Sequence, residues 1–100
     1  MIRNVVTGRL RPADGADAER DRRQLDDGLA GIAALQLPGL VANHVGVDAG
    51  LRSGGWSFAI TNDWVDADAY RAYDADPEHN HYRSMIVDVC DQVSRVQFEV

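Results

Sequence analysis

The stretch from Trp56 to Trp64 constrains the fold of this chain most strongly. Large apolar side chains and one amide alternate there with small or polar residues, so that Trp56, Phe58, Ile60, Asn62 and Trp64 share one face of an extended strand. Residues two apart point to the same side of a β-strand. Because so large an apolar face must be covered, we expect a sheet with a second layer packed on it.

Three further segments alternate in the same way and are predicted to be strands. They run from Ile2 to Leu10, from Leu40 to Asp48 and from Val93 to Val100. Together with the segment Trp56–Trp64 they give four strands, two before and two after the middle of the chain. One hundred residues are enough for one hydrophobic core but not for two, so we expect a single domain of residues 1–100.

The first helix is predicted from leucine and isoleucine residues that recur three or four positions apart between Leu25 and Leu35. Pro38 ends it. Two glycines, Gly28 and Gly31, lie inside this helix, where each costs about 1 kcal/mol relative to alanine. We therefore expect another part of the chain to approach the helix backbone closely at these two positions.

The second helix is predicted to begin after Asp66, which is a good N-cap, and to be interrupted at Pro77 before it resumes towards Val89. The element order is then β-α-β-β-α-β. Four strands and two helices suit one antiparallel sheet with both helices on the same face. The fold class is therefore α+β.

The sheet face away from the helices would be uncovered in a single chain. The residues expected on it are mostly uncharged and include Val5, Thr7, Ala42, Ala59 and Thr61. A second copy of the chain is the natural cover for such a face, so we expect a homodimer.

The charge of the chain argues against nucleic-acid and membrane partners. Ten basic and sixteen acidic residues give a formal net charge of −6 at pH 7, which repels phosphate backbones and anionic lipid headgroups. No segment approaches the roughly 20 apolar residues of a membrane span. The single cysteine, Cys90, agrees with a reducing compartment, so we expect a cytoplasmic protein.

Several cofactor chemistries lack their usual residues. The ten basic residues are all arginines, so that no lysine can form a Schiff base, and no glycine-rich phosphate-binding loop occurs. His79 and His81 lie two positions apart, which on a helix places them about 200° apart around the axis and prevents shared metal ligation. We expect neither a cofactor nor a metal.

The segment from Trp64 to His79 resembles the stress-responsive A/B barrel, or Dabb, domain family. There an aromatic residue ends the third strand, an acidic residue caps the next helix, and that helix carries the pattern Tyr-x-x-x-Pro-x-His. Tyr73, Pro77 and His79 match this pattern. Further segments that resemble the family are Met1–Val6, Leu37–Leu40 and Val96–Val100, so the resemblance spans nearly the whole chain.

The resemblance implies a ferredoxin-like fold whose sheets pack in pairs into a dimeric α+β barrel, with a pocket between sheet and helices in each subunit. The family branch that is similar to plant polyketide cyclases uses a tyrosine–histidine pair for an intramolecular aldol condensation without metal or cofactor. Tyr73 and His79 occupy these positions and are the catalytic candidates. A neutral histidine, with an ordinary pKa of about 6.5, can take a proton from carbon flanked by carbonyls. A tyrosine hydroxyl can hold that imidazole or bind the developing enolate oxygen.

The residues predicted to bind the substrate are mostly apolar. They are Asn4, Leu25, Leu29, Trp56, Phe58 and Ile60. The plant cyclases have histidines where this chain has Asn4 and Phe58, so the resemblance implies a more apolar pocket here. Such a pocket suits an aromatic or polyketide-like small molecule.

Three functions remain open from the sequence. The first is a cofactor-independent cyclase acting on a polyketide-like aromatic precursor. The second is a cofactor-free monooxygenase of a phenolic intermediate, because Asn62 and Trp64 are similar to an asparagine and a tryptophan used by quinone-forming monooxygenases of the same superfamily. The third is a non-catalytic ligand-binding or stress-responsive dimer, in which Tyr73 and His79 are ordinary helix residues.

Overall fold

The computed structural model describes all 100 residues and shows one sheet with helices on one face. The strands are β1 (Ile2–Leu10), β2 (Leu40–Val47), β3 (Phe58–Trp64) and β4 (Cys90–Glu99). The helices are α1 (Gly15–Ala34), α2 (Ala67–Ala75) and α3 (Pro77–Asp88). All neighbouring strands are antiparallel, in the order β2-β3-β1-β4. The ferredoxin-like α+β fold is thereby confirmed.

The second helical segment is divided into α2 and α3 at Asp76, as the proline predicted. Asp76 has an extended backbone (φ −66°, ψ 128°), which is the conformation that a following proline imposes. Its carboxylate accepts a hydrogen bond from the backbone N–H of His79 at 2.9 Å and so caps α3. Pro77 occupies the first turn, where a missing N–H costs nothing. His79 is thereby held in the first turn of a new helix.

Two strands begin at other residues than expected, and β2 and β4 each end one residue early. β3 begins at Phe58, because Gly55 and Trp56 are irregular after the turn at Ser53–Gly54, and Gly8–Phe58 is the last pair between β1 and β3. Trp56 therefore does not share the apolar face of the strand. β4 begins three residues early, at Cys90, where a register shift near Leu10 lets the end of β1 keep its pairing.

The hydrophobic core lies between the sheet and the helices. Its buried members come from α1 and the residue after it, from β3, and from the last two helices and the residue after α3: Leu25, Leu29, Ile32, Leu35, Phe58, Ile60, Trp64, Tyr73, Ile86 and Val89. The stripe predicted for the first helix is thus confirmed as its buried face. None of the three helices is long and apolar enough to cross a lipid bilayer.

Gly28 and Gly31 allow α1 and α3 to pack against each other closely. A methyl group at Gly28 would lie 2.7 Å from Cγ1 of Ile86, and one at Gly31 would overlap the ring of Tyr82. The predicted close approach at both glycines is therefore confirmed. The helix-propensity cost of each glycine is offset by contacts that no larger residue would permit.

The opposite face of the sheet carries no helix. Val96 and Phe98 of β4 pair with Val5 and Arg3 of β1 and share their side of the sheet. They are 55% and 45% exposed, which leaves a partly apolar surface uncovered in one chain.

The variant Gly31→Ala is expected to be less stable than the wild type by about 1–3 kcal/mol, because its methyl group overpacks the ring of Tyr82. Urea denaturation measures the change. The matched control is Ala30→Gly at the exposed neighbouring position, which should cost about 1 kcal/mol through helix propensity alone. An alanine variant at Gly31 that equals or exceeds wild-type stability would contradict the packing account.

Candidate functional site

Four amide side chains form a row across the sheet on its helix-covered side. Gln97 of β4 is paired with Asn4 of β1, Asn4 with Asn62 of β3, and Asn62 with Asn43 of β2. Asn4 and Asn62 are 2% and 1% exposed, so their amides must find partners within the protein. We call these four residues the amide row.

Hydrogen bonds run along the amide row in one direction. Gln97 Nε2 donates to Asn4 Oδ1 at 3.0 Å, and Asn4 Nδ2 donates to Asn62 Oδ1 at 3.0 Å. Asn62 Nδ2 then donates to Asn43 Oδ1 at 3.4 Å, and Asn43 Nδ2 donates to the carbonyl of Ile32 at 2.9 Å. The row therefore ties all four strands to α1.

The indole of Trp64 determines which way the Asn62 amide faces. Trp64 Nε1 can only donate, and it donates to Asn62 Oδ1 at 2.8 Å. The nitrogen of Asn62 must then point the other way, towards Asn43 and Tyr73. Asn62 Nδ2 donates to Tyr73 Oη at 3.3 Å, so the tyrosine oxygen is an acceptor in this bond. The hydroxyl proton of Tyr73 is left available for another partner.

Tyr73 and His79 meet through the faces of their rings. Their centroids are 3.8 Å apart and the rings are inclined by 28°, while Trp64 packs on Tyr73 at 4.6 Å. Tyr73 is 4% exposed, and burial raises the pKa of its hydroxyl, with the Asn62 hydrogen bond acting in the opposite direction. Tyr73 is therefore a neutral phenol at physiological pH and can donate a hydrogen bond.

His79 is buried and neutral. It is 5% exposed, and its Nδ1 is enclosed without a hydrogen-bond partner. Burial lowers the pKa of the imidazole and nearby Arg83 adds to this, while the Tyr73 carbonyl and the carboxylates of Asp74 and Asp76 oppose it. An unpaired buried nitrogen is uncommon in proteins, and it leaves the imidazole of His79 less completely hydrogen-bonded than the amide side chains beside it.

A cavity of about 40 Å³ lies beside these rings, between the sheet and the helices. Its buried wall includes Asn4, Phe58, Ile60, Tyr73 and His79. On the solvent side it is lined by Tyr70, Asp74, Arg83, Val87 and Arg95. The space suffices for a few water molecules, and a larger ligand requires the solvent-side residues to move.

Five of the residues predicted for the site come together at this cavity: Asn4, Phe58, Ile60, Tyr73 and His79. Leu25 and Leu29 do not line it, because their part of α1 packs into the core, and Ile32 reaches the cavity instead. Trp56 lies apart, in a groove on the uncovered side of the sheet with Thr7 and His44. Because Trp56 precedes β3, the alternation of that strand does not hold its indole on the helix-covered side.

Sequence reasoning missed the amide row and the two arginines beside the cavity. A signal for the row was present, since Asn4, Asn43 and Asn62 each occupy the apolar side of their predicted strand. No comparable signal marked Arg95, because the two faces of the predicted strand from Val93 to Val100 differ little in polarity. No three histidine, cysteine, aspartate or glutamate side chains lie close enough together to hold a metal ion.

Comparison with known proteins agrees with the architecture. A family model described as the stress responsive A/B barrel domain matches residues 9–100. No curated protein sequence matches the chain. A dimeric ferredoxin-like protein of unknown function from Thermobifida fusca is 28% identical, with a TM-score of 0.81, over 99% of this chain and 90% of that chain.

Two enzymes share the fold at lower identity. A hydroxynitrile lyase from Passiflora edulis has a TM-score of 0.76 at 16% identity, over 99% of this chain and 92% of that chain. A variant of SnoaB, a cofactor-independent oxygenase from Streptomyces nogalater, has a TM-score of 0.66 at 20% identity, over 99% of this chain and 91% of that chain. At these identities the likeness concerns the fold alone.

Replacing Asn62 by leucine is expected to destabilise the protein by at least about 2 kcal/mol, since Trp64 Nε1 and Asn4 Nδ2 both lose their acceptor and each unsatisfied buried group costs about 1–3 kcal/mol. Thermal and urea unfolding measure the loss. Gln97→Ala, at the exposed end of the amide row, should cost about 1 kcal/mol or less because water can replace it. Equal losses in the two variants would show that burial of the row contributes nothing.

The protein is expected to lose stability as the pH falls from about 6.5 towards 5. His79 has a lowered pKa when folded and the ordinary value of 6.5 when unfolded, so below 6.5 the unfolded chain binds more protons. Protonation of the paired carboxylates Asp21, Asp63 and Asp91 destabilises the protein only at lower pH. Their arginine partners lower the pKa of these groups from the ordinary value of 3.8. His79→Phe should flatten the pH dependence of unfolding in this window; an unchanged slope would argue against a buried neutral imidazole.

Proposed function

We propose that this chain, which belongs to the stress responsive A/B barrel (Dabb) domain family, is a cofactor-independent enzyme in which His79 removes a proton from carbon. The observation that carries the proposal is the imidazole itself: it is 5% exposed, borders a cavity, and has an unpartnered nitrogen. Because burial lowers its pKa, the imidazole is neutral and able to accept a proton at physiological pH.

Tyr73 is proposed to stabilise the charge that this step creates. When a proton leaves carbon next to a carbonyl, negative charge develops on the carbonyl oxygen. The Tyr73 hydroxyl accepts from Asn62 and keeps its own proton, so it can donate to that oxygen inside the cavity. A donor held in place by a buried amide needs little reorganisation during the reaction.

The reaction we favour is an intramolecular aldol cyclisation of a polyketide-like aromatic precursor. His79 takes the proton from a carbon between two carbonyls, and the enolate oxygen is held by Tyr73. The enolate carbon then attacks a third, more distant carbonyl of the same molecule, a carbon–carbon bond forms, and the new alkoxide takes the proton back from the His79 imidazolium. Every atom of the substrate is retained in this step, and no oxidant is consumed.

The apolar walls support an aromatic ligand. Phe58 and Ile60 lie on the buried side of the cavity, and Gly8 leaves room for the ring of Phe58, which a methyl group at that position would overlap. Asn4 is the one amide on the wall, and it is already engaged in the amide row. Polar recognition within the buried part of the cavity is therefore assigned to Tyr73 and His79.

A cofactor-free monooxygenase acting on a phenolic intermediate is the second candidate. The observation that favours it is the hydrogen bond from Trp64 Nε1 to Asn62 Oδ1. The shared fold with the oxygenase SnoaB is compatible with it. Neither Asn62 nor Trp64 borders the cavity, however, so both would have to act through Tyr73. Oxygen consumption distinguishes this reaction from a cyclisation.

The proposed enzyme is a single-domain homodimer in the cytoplasm. The uncovered sheet face, with Val96 and Phe98 exposed, supports the dimer, as does the dimeric state of the ferredoxin-like protein from Thermobifida fusca. A cytoplasmic location suits the free thiol of Cys90. The third candidate, a non-catalytic ligand-binding or stress-responsive dimer, predicts binding without turnover.

Catalysis is tested with linear aromatic β-polyketones and the variants His79→Gln and Tyr73→Phe. Loss of the base should lower kcat/KM by about 10²–10⁴, and loss of the phenol donor by about 10²–10³. Product formation by chromatography and oxygen uptake are recorded together. The wild-type kcat/KM should fall with acidity only below about pH 6.5, where the lowered pKa of His79 comes into range.

The matched control is His81→Gln, which alters an exposed histidine two positions away and should leave turnover unchanged. Equal turnover by His79→Gln and the wild type would remove the proposed base. Stoichiometric oxygen uptake would assign the protein to the second candidate. Ligand binding that survives in every variant, with no product from the wild type, would assign it to the third.

A further inference from the structure

Two arginines line the solvent side of the cavity, and only one of them has a partner. Arg83 Nη1 donates to Asp74 Oδ1 at 3.0 Å, so these two charges neutralise each other. The Arg95 side chain makes no ion pair and no hydrogen bond, although it also lines the cavity. Arg95 therefore keeps an uncompensated positive charge beside the cavity.

Arg95 differs in this respect from the other arginines of the sheet. Arg3 binds Asp63 and Arg9 binds Asp91, each through two nitrogen–oxygen contacts of 2.8–3.1 Å. Both carboxylates come from a neighbouring strand. The residue opposite Arg95 on β1 is Val6, which offers no charge. Within its own chain the guanidinium of Arg95 is therefore free to receive a carboxylate.

Strand pairing directs Arg95 towards the cavity. It is the Cα partner of Val6, and both lie on the helix-covered side of the sheet together with Val93 and Gln97. Val6 and Val93 line the cavity beside it, and Gln97 is held by Asn4. The backbone under Arg95 is thus fixed, while its exposed side chain can reorient to meet a ligand.

We infer that Arg95 recognises a carboxylate on the ligand, whose aromatic body enters the apolar part of the cavity. This rests on the proposed function and specifies its substrate class as aromatic carboxylic acids. A guanidinium presents two parallel N–H groups that match the two oxygens of a carboxylate. The single unpaired guanidinium of Arg95 balances the one negative charge of a carboxylate, whereas a phosphate would carry nearly two.

The pairing of Arg83 with Asp74 serves this recognition. Asp74 also lines the solvent side of the cavity, and its negative charge would repel an incoming carboxylate. Because Arg83 compensates that charge, the field of Arg95 is left to attract the anion. The ligand then spans the cavity, with its acid group outside and its reacting carbon near His79.

The experiment measures binding of salicylate, a planar aromatic acid, by titration calorimetry and by amide shifts in ¹H–¹⁵N spectra. Salicylamide is the neutral match and inorganic sulfate the anion without an aromatic body. The variants are Arg95→Gln and, as a charge-matched control, Arg52→Gln in the exposed loop between β2 and β3. Salicylate should bind the wild type about tenfold or more tightly than salicylamide, as expected for a charge-assisted contact.

Arg95→Gln should remove this preference, Arg52→Gln should retain it, and the shifts should centre on Val6, Val93 and the helix carrying His79. Equal weakening by both variants, equal binding of the two aromatic probes, sulfate binding at the same residues with the same affinity, or no salicylate binding would each overturn the inference. The binding of salicylate is measured without any turnover of substrate. A His79→Gln variant that keeps both activity and the Arg95-dependent preference would therefore refute the proposed base while leaving the carboxylate site standing.

Discussion

The buried amide of Asn62 is the interaction on which the rest of the site depends. At 1% exposure it uses its oxygen for Trp64 and Asn4 and its nitrogen for Asn43 and Tyr73. Both donors and both acceptor positions are thus satisfied, which makes the orientation of the amide unique. A row of polar groups inside a core destabilises a fold unless every member is paired, and here the pairing also determines which way the Tyr73 hydroxyl can donate.

The break between α2 and α3 is the second requirement of the site. Tyr73 and His79 are six residues apart, which in a continuous helix would place them about 120° apart around the axis. They would then face different surroundings. The extended residue Asp76 and the proline after it restart the helix, so that the two rings stack at 3.8 Å instead. The residues that cap α3 therefore also assemble the candidate catalytic pair.

Local periodicity in the sequence predicted most of the fold but only part of the site. The strand alternation, the stripe of α1, the break at Pro77 and the close contacts at Gly28 and Gly31 follow from neighbours in sequence. The amide row does not, because it exists only when the registers of three strand pairs bring four residues to one level. Arg95 likewise becomes distinctive only beside the partners of Arg3 and Arg9, which strand pairing supplies.

The cavity has a rigid half and an adaptable half. Asn4, Tyr73 and His79 are held by buried hydrogen bonds or ring stacking, so the protein itself positions the groups assigned to the chemistry. Val87 and Arg95 are exposed, and space of about 40 Å³ admits an aromatic molecule only if residues on that side move. Ligand choice is thus separated from proton transfer: the solvent side selects by charge and shape, and the buried side holds the reacting groups in a preorganised arrangement.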